Sequence, residues 1–229
     1  MNYDVIIVGA GPAGLFSAYY LSEHSNKKVL LIEKGKIPQK RNCPVKSYRE
    51  CIKCKPCNIL SGIGGAGLFS DGKLNYIYKL GKTDLAQFMP RHQAEKLIDE
   101  TEQIFNKFGM DGPVYPTDMA EARQIRKRAK RYGIDLLIIK QKHLGSDRLP
   151  EHIAAMADHI YSNGVVMLTS VEVLEVLIEN NHAVGVVTIR KIYFADIVIL
   201  APGRVGAVWV GGVAQKYNIG LKQRGIEVG

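Results

Sequence analysis

An apolar run, Val5-Ile6-Ile7-Val8, leads directly into Gly9, Gly11 and Gly14 at G-x-G-x-x-G spacing, and no other stretch constrains the fold as tightly. Four consecutive apolar residues bounded by glycine read as a buried parallel strand. The following Leu15-Phe-Ser-Ala-Tyr-Tyr-Leu21 has the composition and spacing of a helix. In such a strand-turn-helix unit Gly9 permits the tight turn, Gly11 lets a pyrophosphate approach the backbone, and Gly14 lets the helix pack close to the strand. The N–H groups at the helix N-terminus then face the phosphate charge. Lys28 to Glu33 reads as a second buried strand whose terminal Glu33 is placed to accept hydrogen bonds from a ribose. Strand, glycines, helix, second strand and acid together predict a bound dinucleotide.

After Glu33 the periodicity stops. Residues 34–60 are polar and basic and hold all four cysteines, with Pro38, Pro44 and Pro56. A loop of this length inside a compact domain is usually functional. A second glycine-rich stretch follows, Gly62 to Lys73, where the backbone itself is expected to approach a ligand. Thr83 to about Phe108 reads as a helix that Pro90 breaks or restarts. Thr117 or Asp118 is expected to cap a helix over Met119–Arg131, and Ile134–Ile139 reads as a strand. A helix over Leu149–Ser162 precedes strands at 165–169 and 171–178, and Asn180-Asn181 suits a hairpin turn into 183–189. A last strand, Ala195–Leu200, runs into Ala201-Pro-Gly-Arg-Val-Gly206. It forms a second strand-to-glycine junction at which the sheet's carboxyl edge can meet the same ligand.

The cysteines Cys43, Cys51, Cys54 and Cys57 stand at C-x7-C-x2-C-x2-C spacing. With no run of about 18 apolar residues and no basic leader, the chain reads as cytoplasmic, where such clustering favours metal or redox chemistry over structural disulfides. The C-x2-C-x2-C core matches iron–sulfur ligation, although Cys43-Pro44 precedes the triplet rather than following it. Four thiolates also suit zinc. A redox-active thiol pair, or reduced thiols with no role, are the other readings. Flanking Lys46, Arg49, Lys53 and Lys55 would lower thiol pKa values.

The net charge of +9 is uneven. Ten lysines and arginines stand against Glu33 and Glu50 between Lys27 and Cys57, and nine against Glu121, Asp135 and Asp147 between Glu121 and Arg148. The second set includes Arg123, Arg126, Lys127, Arg128, Lys130 and Arg131, read as a solvated helical face. No aromatic-interleaved RNA-binding signature accompanies it, so nucleic acid is not the expected partner. The histidines are scattered, with only His143 in a glycine-flanked turn. Ser70, Asp71 and Lys73 suit either a turn or a ligand contact.

The opening motif with Glu33, and Ala201-Pro-Gly203 after an apolar strand, resemble the FAD-binding half of the glutathione-reductase-type FAD/NAD(P)-binding superfamily. The cysteine segment, Gly64-Gly-Ala-Gly-Leu-Phe-Ser-Asp-Gly-Lys73, His143-Leu-Gly-Ser-Asp147 and Ala201-Pro-Gly-Arg204 resemble a group of FAD-dependent dehydrogenases of bacteria and archaea, over nearly the whole chain. The resemblance implies an α/β fold, a Rossmann-like parallel sheet with a β-meander from about Val165 to Ile189 and an inserted helical region. Residues 1–84 and 145–229 would form the FAD-binding domain, and 85–144 the substrate-side insertion. It implies FAD, with Gly9, Gly11, Pro12, Ala13 and Gly14 at the pyrophosphate and Glu33 and Lys34 at the adenosine ribose. Val171 would lie near the adenine. Gly64, Gly65, Ala66, Gly67, Phe69 and Ser70 would lie along the ribityl chain or flavin, with Ala201, Pro202 and Gly203 close by. Such proteins continue to a second motif with a Gly-Asp pair, which is not found before Gly229, so the chain reads as the N-terminal half of a longer flavoprotein. The activity implied is hydride or electron transfer between a small-molecule donor and an acceptor. Other readings are a geranylgeranyl-reductase-like flavoprotein acting on isoprenoids, and a non-catalytic nucleotide- or RNA-binding module motivated by the two basic segments.

Overall fold

A computed structural model describes residues 2–145 and 148–222. Ser146, Asp147 and Gly229, named above, lie outside the described residues. The chain divides into two compact units, one of residues 1–68 with 153–229 and the other of residues 69–152.

The first unit begins with β1 (Asn2–Val8), α1 (Pro12–His24) and β2 (Val29–Glu33). Val5, Ile6 and Ile7 and all of Val29–Ile32 are at most 2% exposed, as continuous apolar strands covered on both faces must be. Helix α1 buries Leu15, Ala18 and Tyr19, one stripe at helical spacing. The segment after β2 holds only a single helical turn, α2 (Val45–Tyr48), and short 3-10 turns.

The second unit contains β3 (Lys73–Tyr76), β4 (Lys79–Leu80), β5 (Thr83–Asp84), α3 (Arg91–Lys107), β6 (Val114–Tyr115), α4 (Met119–Arg131) and β7 (Lys140–His143). The helix read from Thr83 starts at Arg91 instead. Thr83 and Asp84 pair with β4, Asp84 caps a 3-10 turn over Leu85–Gln87, and Pro90 then opens α3. Helix α4 spans the expected residues, with Asp118 Oδ1 accepting from the N–H groups of Ala120 (2.7 Å) and Glu121 (3.0 Å). The strand expected over Ile134–Ile139 is absent. The Ile134 N–H closes the end of α4 on the Ala129 carbonyl at 3.1 Å, past Gly133 at φ +74°. The strand falls one step later, where Lys140–His143 pairs antiparallel with both β3 and β6. Apolar composition suggested a strand in this segment, but the available partners selected its polar neighbour.

Between α3 and β7 lies a partly buried ionic cluster. Glu102 pairs with Lys140 and, at 3.3 Å, with the 5%-exposed Lys142, which also donates to Asn106. Burial alone would raise the Glu102 carboxyl, but hydrogen bonds and charge from Lys140 and Lys142 outweigh it and hold the group below the usual carboxylate range. A depressed folded-state pKa contributes stability above the unfolded carboxyl pKa, and that contribution is lost as pH falls through the folded value. Thermal stability followed by circular dichroism is therefore expected to fall as pH drops below about 4, and Glu102→Gln should flatten that acid limb.

The chain returns through α5 (Leu149–Ser162), which crosses the unit boundary, into β8 (Val166–Thr169), β9 (Val173–Glu179), β10 (His182–Thr188), β11 (Ile192–Leu200) and α6 (Ala207–Lys216). The six-stranded sheet has the order β8-β2-β1-β11-β10-β9. Strands β8, β2, β1 and β11 are parallel, and β10 and β9 continue the sheet antiparallel. This is an α/β sheet of the Rossmann-like kind. Val166–Thr169 was expected in the meander but lies parallel beside β2, at the end of a crossover through α5. The meander is β9-β10-β11. Its first turn is as read: Asn180 and Asn181 have φ +48° and +63°, the paired positive values that a two-residue hairpin requires. Helix α6 was not anticipated. Among the described residues, no helix is long and apolar enough to cross a membrane.

Candidate functional site

The register aligns the carboxyl ends of the parallel strands. Val8 stands opposite Ile32 and Leu200, and Glu33 opposite Thr169. The segments leaving these ends are Gly9–Gly11, Lys34–Gly35, Ser170–Val171 and Ala201–Gly203, and backbone hydrogen bonds lace them together. Gly9 N–H donates to Ile32 O at 2.8 Å and Ala201 N–H to Val8 O at 2.8 Å. Ser170 N–H donates to Gly35 O and Gly64 N–H to Ala10 O, both at 2.8 Å.

Gly9 and Gly14 admit no substitute here. Gly9 has φ +102°, and a Cβ on it would lie 2.3 Å from the Ala201 carbonyl oxygen. A Cβ on Gly14 would lie 1.8 Å from Gly9 O, so α1 rests directly on the turn that precedes it. Gly11 is the N-cap of α1 and Pro12 its first residue, with neither a side-chain cap nor an acid in the first turn. The helix supplies no acceptor for the N–H groups of Ala13 and Gly14, which leaves a compact positive end.

Glu33 is bound by the protein's own backbone. Its carboxylate is 7% exposed and accepts from three backbone segments. Oε2 takes Ala10 N–H at 2.8 Å, and Oε1 takes Gly35 N–H at 2.8 Å and Gly62 N–H at 2.9 Å. One carboxylate thus ties the first glycine turn, the exit of β2 and the start of the second glycine run. Oε2 retains one acceptor position for a ligand hydroxyl. Glu33→Gln turns one of these acceptors into a donor facing an N–H. We expect a loss of about 2 kcal/mol in urea unfolding together with weaker nucleotide binding.

These segments enclose a cavity of about 650 Å³, within the size range of small-molecule sites. Of the residues named from sequence, Gly9, Gly11, Pro12, Glu33, Lys34, Gly65, Ala66, Gly67, Val171, Ala201, Pro202 and Gly203 line it. Ala13 and Gly14 form the first turn of α1 beside the lining residues Gly11 and Pro12. Gly64 does not line the cavity but is hydrogen-bonded to Ala10, and Phe69 and Ser70 fall in the other unit. Ser70 and Asp71 form a turn, Ser70 Oγ accepting from Gly72 N–H and Asp71 pairing with Lys73 at 2.9 Å. Gly62 and Arg204–Gly206, from the two glycine stretches expected to meet a ligand, line it as well, whereas sequence reading missed Leu60, Ser61, Glu172, Val173 and Trp209. The signal for Trp209 was the chain's single tryptophan in the apolar run that follows the Ala201–Gly206 junction.

The cysteine loop is closed at its base and spread at its tip. Gly35 and Gly62 lie in direct backbone contact, and Ile63 N–H donates to Lys36 O at 3.0 Å. Arg41, 1% exposed, donates to the carbonyls of Asn58 (3.0 Å), Ile59 (2.7 Å) and Ile63 (2.7 Å). Burial pulls its pKa below the ordinary guanidinium value, while Glu33 and Cys57 act in the opposite direction. All four thiols are free, Cys51 exposed and the others half-buried. The structure does not gather Cys43, Cys51, Cys54 and Cys57: among the described residues no three His, Cys, Asp or Glu side chains converge on a metal-sized site. With only one helical turn between Cys43 and Cys57, nothing in the local backbone brings the thiols together.

The glycine cradle, the uncapped α1 N-terminus and the cavity together fit a dinucleotide such as FAD. A family model described as FAD dependent oxidoreductase matches residues 4–42. LodB of Marinomonas mediterranea, named as an FAD-dependent oxidoreductase, is 52% identical over 40 residues, 18% of this chain and 11% of that protein. An uncharacterised protein of Clostridium beijerinckii is 39% identical over 70 residues, 30% of this chain and 13% of that one. Similar solved structures include glycine oxidase from Bacillus cereus, with TM-score 0.54 and 20% identity, covering 95% of this chain and 58% of that one. L-amino acid deaminase from Proteus vulgaris has TM-score 0.54 and 18% identity, covering 95% and 50%. L-proline dehydrogenase from P. horikoshii has TM-score 0.52 and 18% identity, covering 93% and 56%. These likenesses establish a shared fold. The chain spans between 50% and 58% of the length of these structures.

Proposed function

We propose that this chain is the FAD-binding part of a flavin-dependent oxidoreductase that acts on a small molecule. The observation that carries the proposal is the convergence of both glycine runs, Glu33 and the Ala201–Gly203 turn on one cavity at the carboxyl edge of the parallel strands. Its likeness in fold to an amino acid deaminase, an oxidase and a dehydrogenase, and the match of residues 4–42, agree with this reading.

Each group has a defined task. The N–H groups of Ala13 and Gly14 and the positive end of α1 hold pyrophosphate charge, and Gly11, without a side chain, lets it come close. The remaining acceptor on Glu33 Oε2 takes a ribose hydroxyl. Val171 and Val173 offer apolar surface to the adenine. Gly65, Ala66 and Gly67 leave room along the opposite arm of the cavity. When bound, the flavin supplies hydride and electron transfer, while the protein supplies position and electrostatics.

The test is reconstitution. Purified protein incubated with FAD and freed of excess should retain flavin absorbance and unfold at higher temperature, since a ligand that binds only the native state stabilises it. Folded protein that retains no flavin and shows no thermal shift would refute the reading.

A further inference from the structure

We infer that Trp209 is the aromatic platform on which the adenine of the bound dinucleotide stacks, an assignment that rests on the FAD reading above. Trp209 lines the cavity, and its surroundings fix the ring in place. The indole N–H donates to the Leu174 carbonyl of β9 at 2.8 Å. The rest of the helix end is pinned to the same strand. Tyr217 OH donates to Val176 O at 2.8 Å, and Lys216 pairs with Glu175 at 2.8 Å. Strand β9 is the sheet edge, so α6 uses outward-facing backbone acceptors as its anchor. At the other end of α6, a Cβ on Gly206 would lie 2.3 Å from Pro202 Cβ, which sets the helix start tightly against the Ala201–Gly203 turn. A large aromatic ring held at both ends of its helix is a preorganised wall.

The ligand arm it serves follows from its neighbours. The pyrophosphate is fixed at Gly11 and Pro12 by the α1 N-terminus, and the two arms of a dinucleotide run from there toward Glu33 and toward Gly65–Gly67. Trp209 packs against the core cluster that contains Val171 and Val173, both of which also line the cavity. This places the indole on the Glu33 side, among valines rather than beside the second glycine run. Planar indole and adenine faces stack favourably, and such stacking is sequence-tolerant but geometry-dependent.

Trp209 is the only tryptophan in the chain, so its emission reports the contact directly. ADP is the probe, because it carries the adenosine arm without a flavin to quench by energy transfer. Saturable quenching by ADP is expected, and Trp209→Leu should weaken ADP and FAD binding about tenfold or more. FMN, which lacks the adenine, should bind wild type and variant alike. Trp209→Phe keeps a ring but loses the Leu174 hydrogen bond, and should retain most ADP affinity. If the leucine variant fails to fold, the wild-type emission decides: saturable ADP binding that leaves the Trp209 emission unchanged would overturn the assignment. Unchanged ADP affinity in folded Trp209→Leu, or an equal loss for FMN and ADP, would overturn the assignment to adenine. For a phenylalanine variant tested alone, loss of ADP binding as severe as loss of FMN binding would overturn it too. If wild type binds FAD but these variants behave as stated against the proposal, only Trp209's role fails. If wild type binds neither FAD nor ADP, the dinucleotide reading fails with it.

Discussion

Gly14→Val is expected to abolish FAD retention and to lower stability by about 4 kcal/mol, measured by urea unfolding. The first Cβ atom alone would lie 1.8 Å from the Gly9 carbonyl oxygen, and that oxygen belongs to a backbone that cannot yield locally. Gly9 is held on one side by its own hydrogen bond to Ile32 O and on the other by the close approach of Ala201 O. Relief would have to come from α1 lifting off β1, which unburies Leu15 and Ala18 and moves the helix N-terminus away from the cavity. Stability and cofactor binding should therefore fall together. A variant that keeps wild-type stability and FAD binding would show that helix and turn are not packed as described.

Arg41→Met should cost a comparable amount, about 4 kcal/mol, for a different reason. The guanidinium donates to three backbone carbonyls from one buried position. Methionine fills much of the space but leaves those acceptors without their donors, and a buried polar group left unmade costs more than a made one contributes. The loop base between Asn58 and Ile63 should loosen, and since Leu60, Ser61 and Gly62 line the cavity, FAD affinity should fall as well. Half-buried Cys54 and Cys57 should react faster with a thiol reagent, whereas exposed Cys51 should change little. Equal reactivity of all the thiols in variant and wild type would contradict the role assigned to Arg41.

The parts of the molecule legible in sequence are those whose physics is local. The β1-turn-α1 unit could be read because its glycines recur at fixed spacing between a strand and a helix, although the contact that Gly9 answers, at Ala201, lies far along the chain, and α4 because Asp118 marks its start. The Asn180-Asn181 turn was readable for the same reason, since both residues accept positive φ. What failed depended on partners distant in the chain. Ile134–Ile139 has strand composition, but the pairing went to Lys140–His143 because β3 and β6 align there. Val166–Thr169 looked like the first meander strand, yet β2 offered it a parallel edge.

The same division holds for the site. Gly9, Gly11 and Glu33 are recognisable from spacing. That Glu33 spends three acceptor positions on Ala10, Gly35 and Gly62 is not, because those N–H groups meet only after the sheet has formed. Arg41 reads as one more cation in a basic loop, and only the fold reveals it as the group that closes that loop. Trp209 sits in an apolar run with no motif around it, and its place in the cavity wall follows from the anchoring of α6 on β9.

The most direct measurement is the flavin released on denaturing the chain after incubation with FAD and removal of free cofactor, in wild type and in Gly14→Val. The account predicts stoichiometric FAD from wild type and none from the variant. Folded wild-type chain that releases no FAD, or a variant that releases as much as wild type, would contradict it.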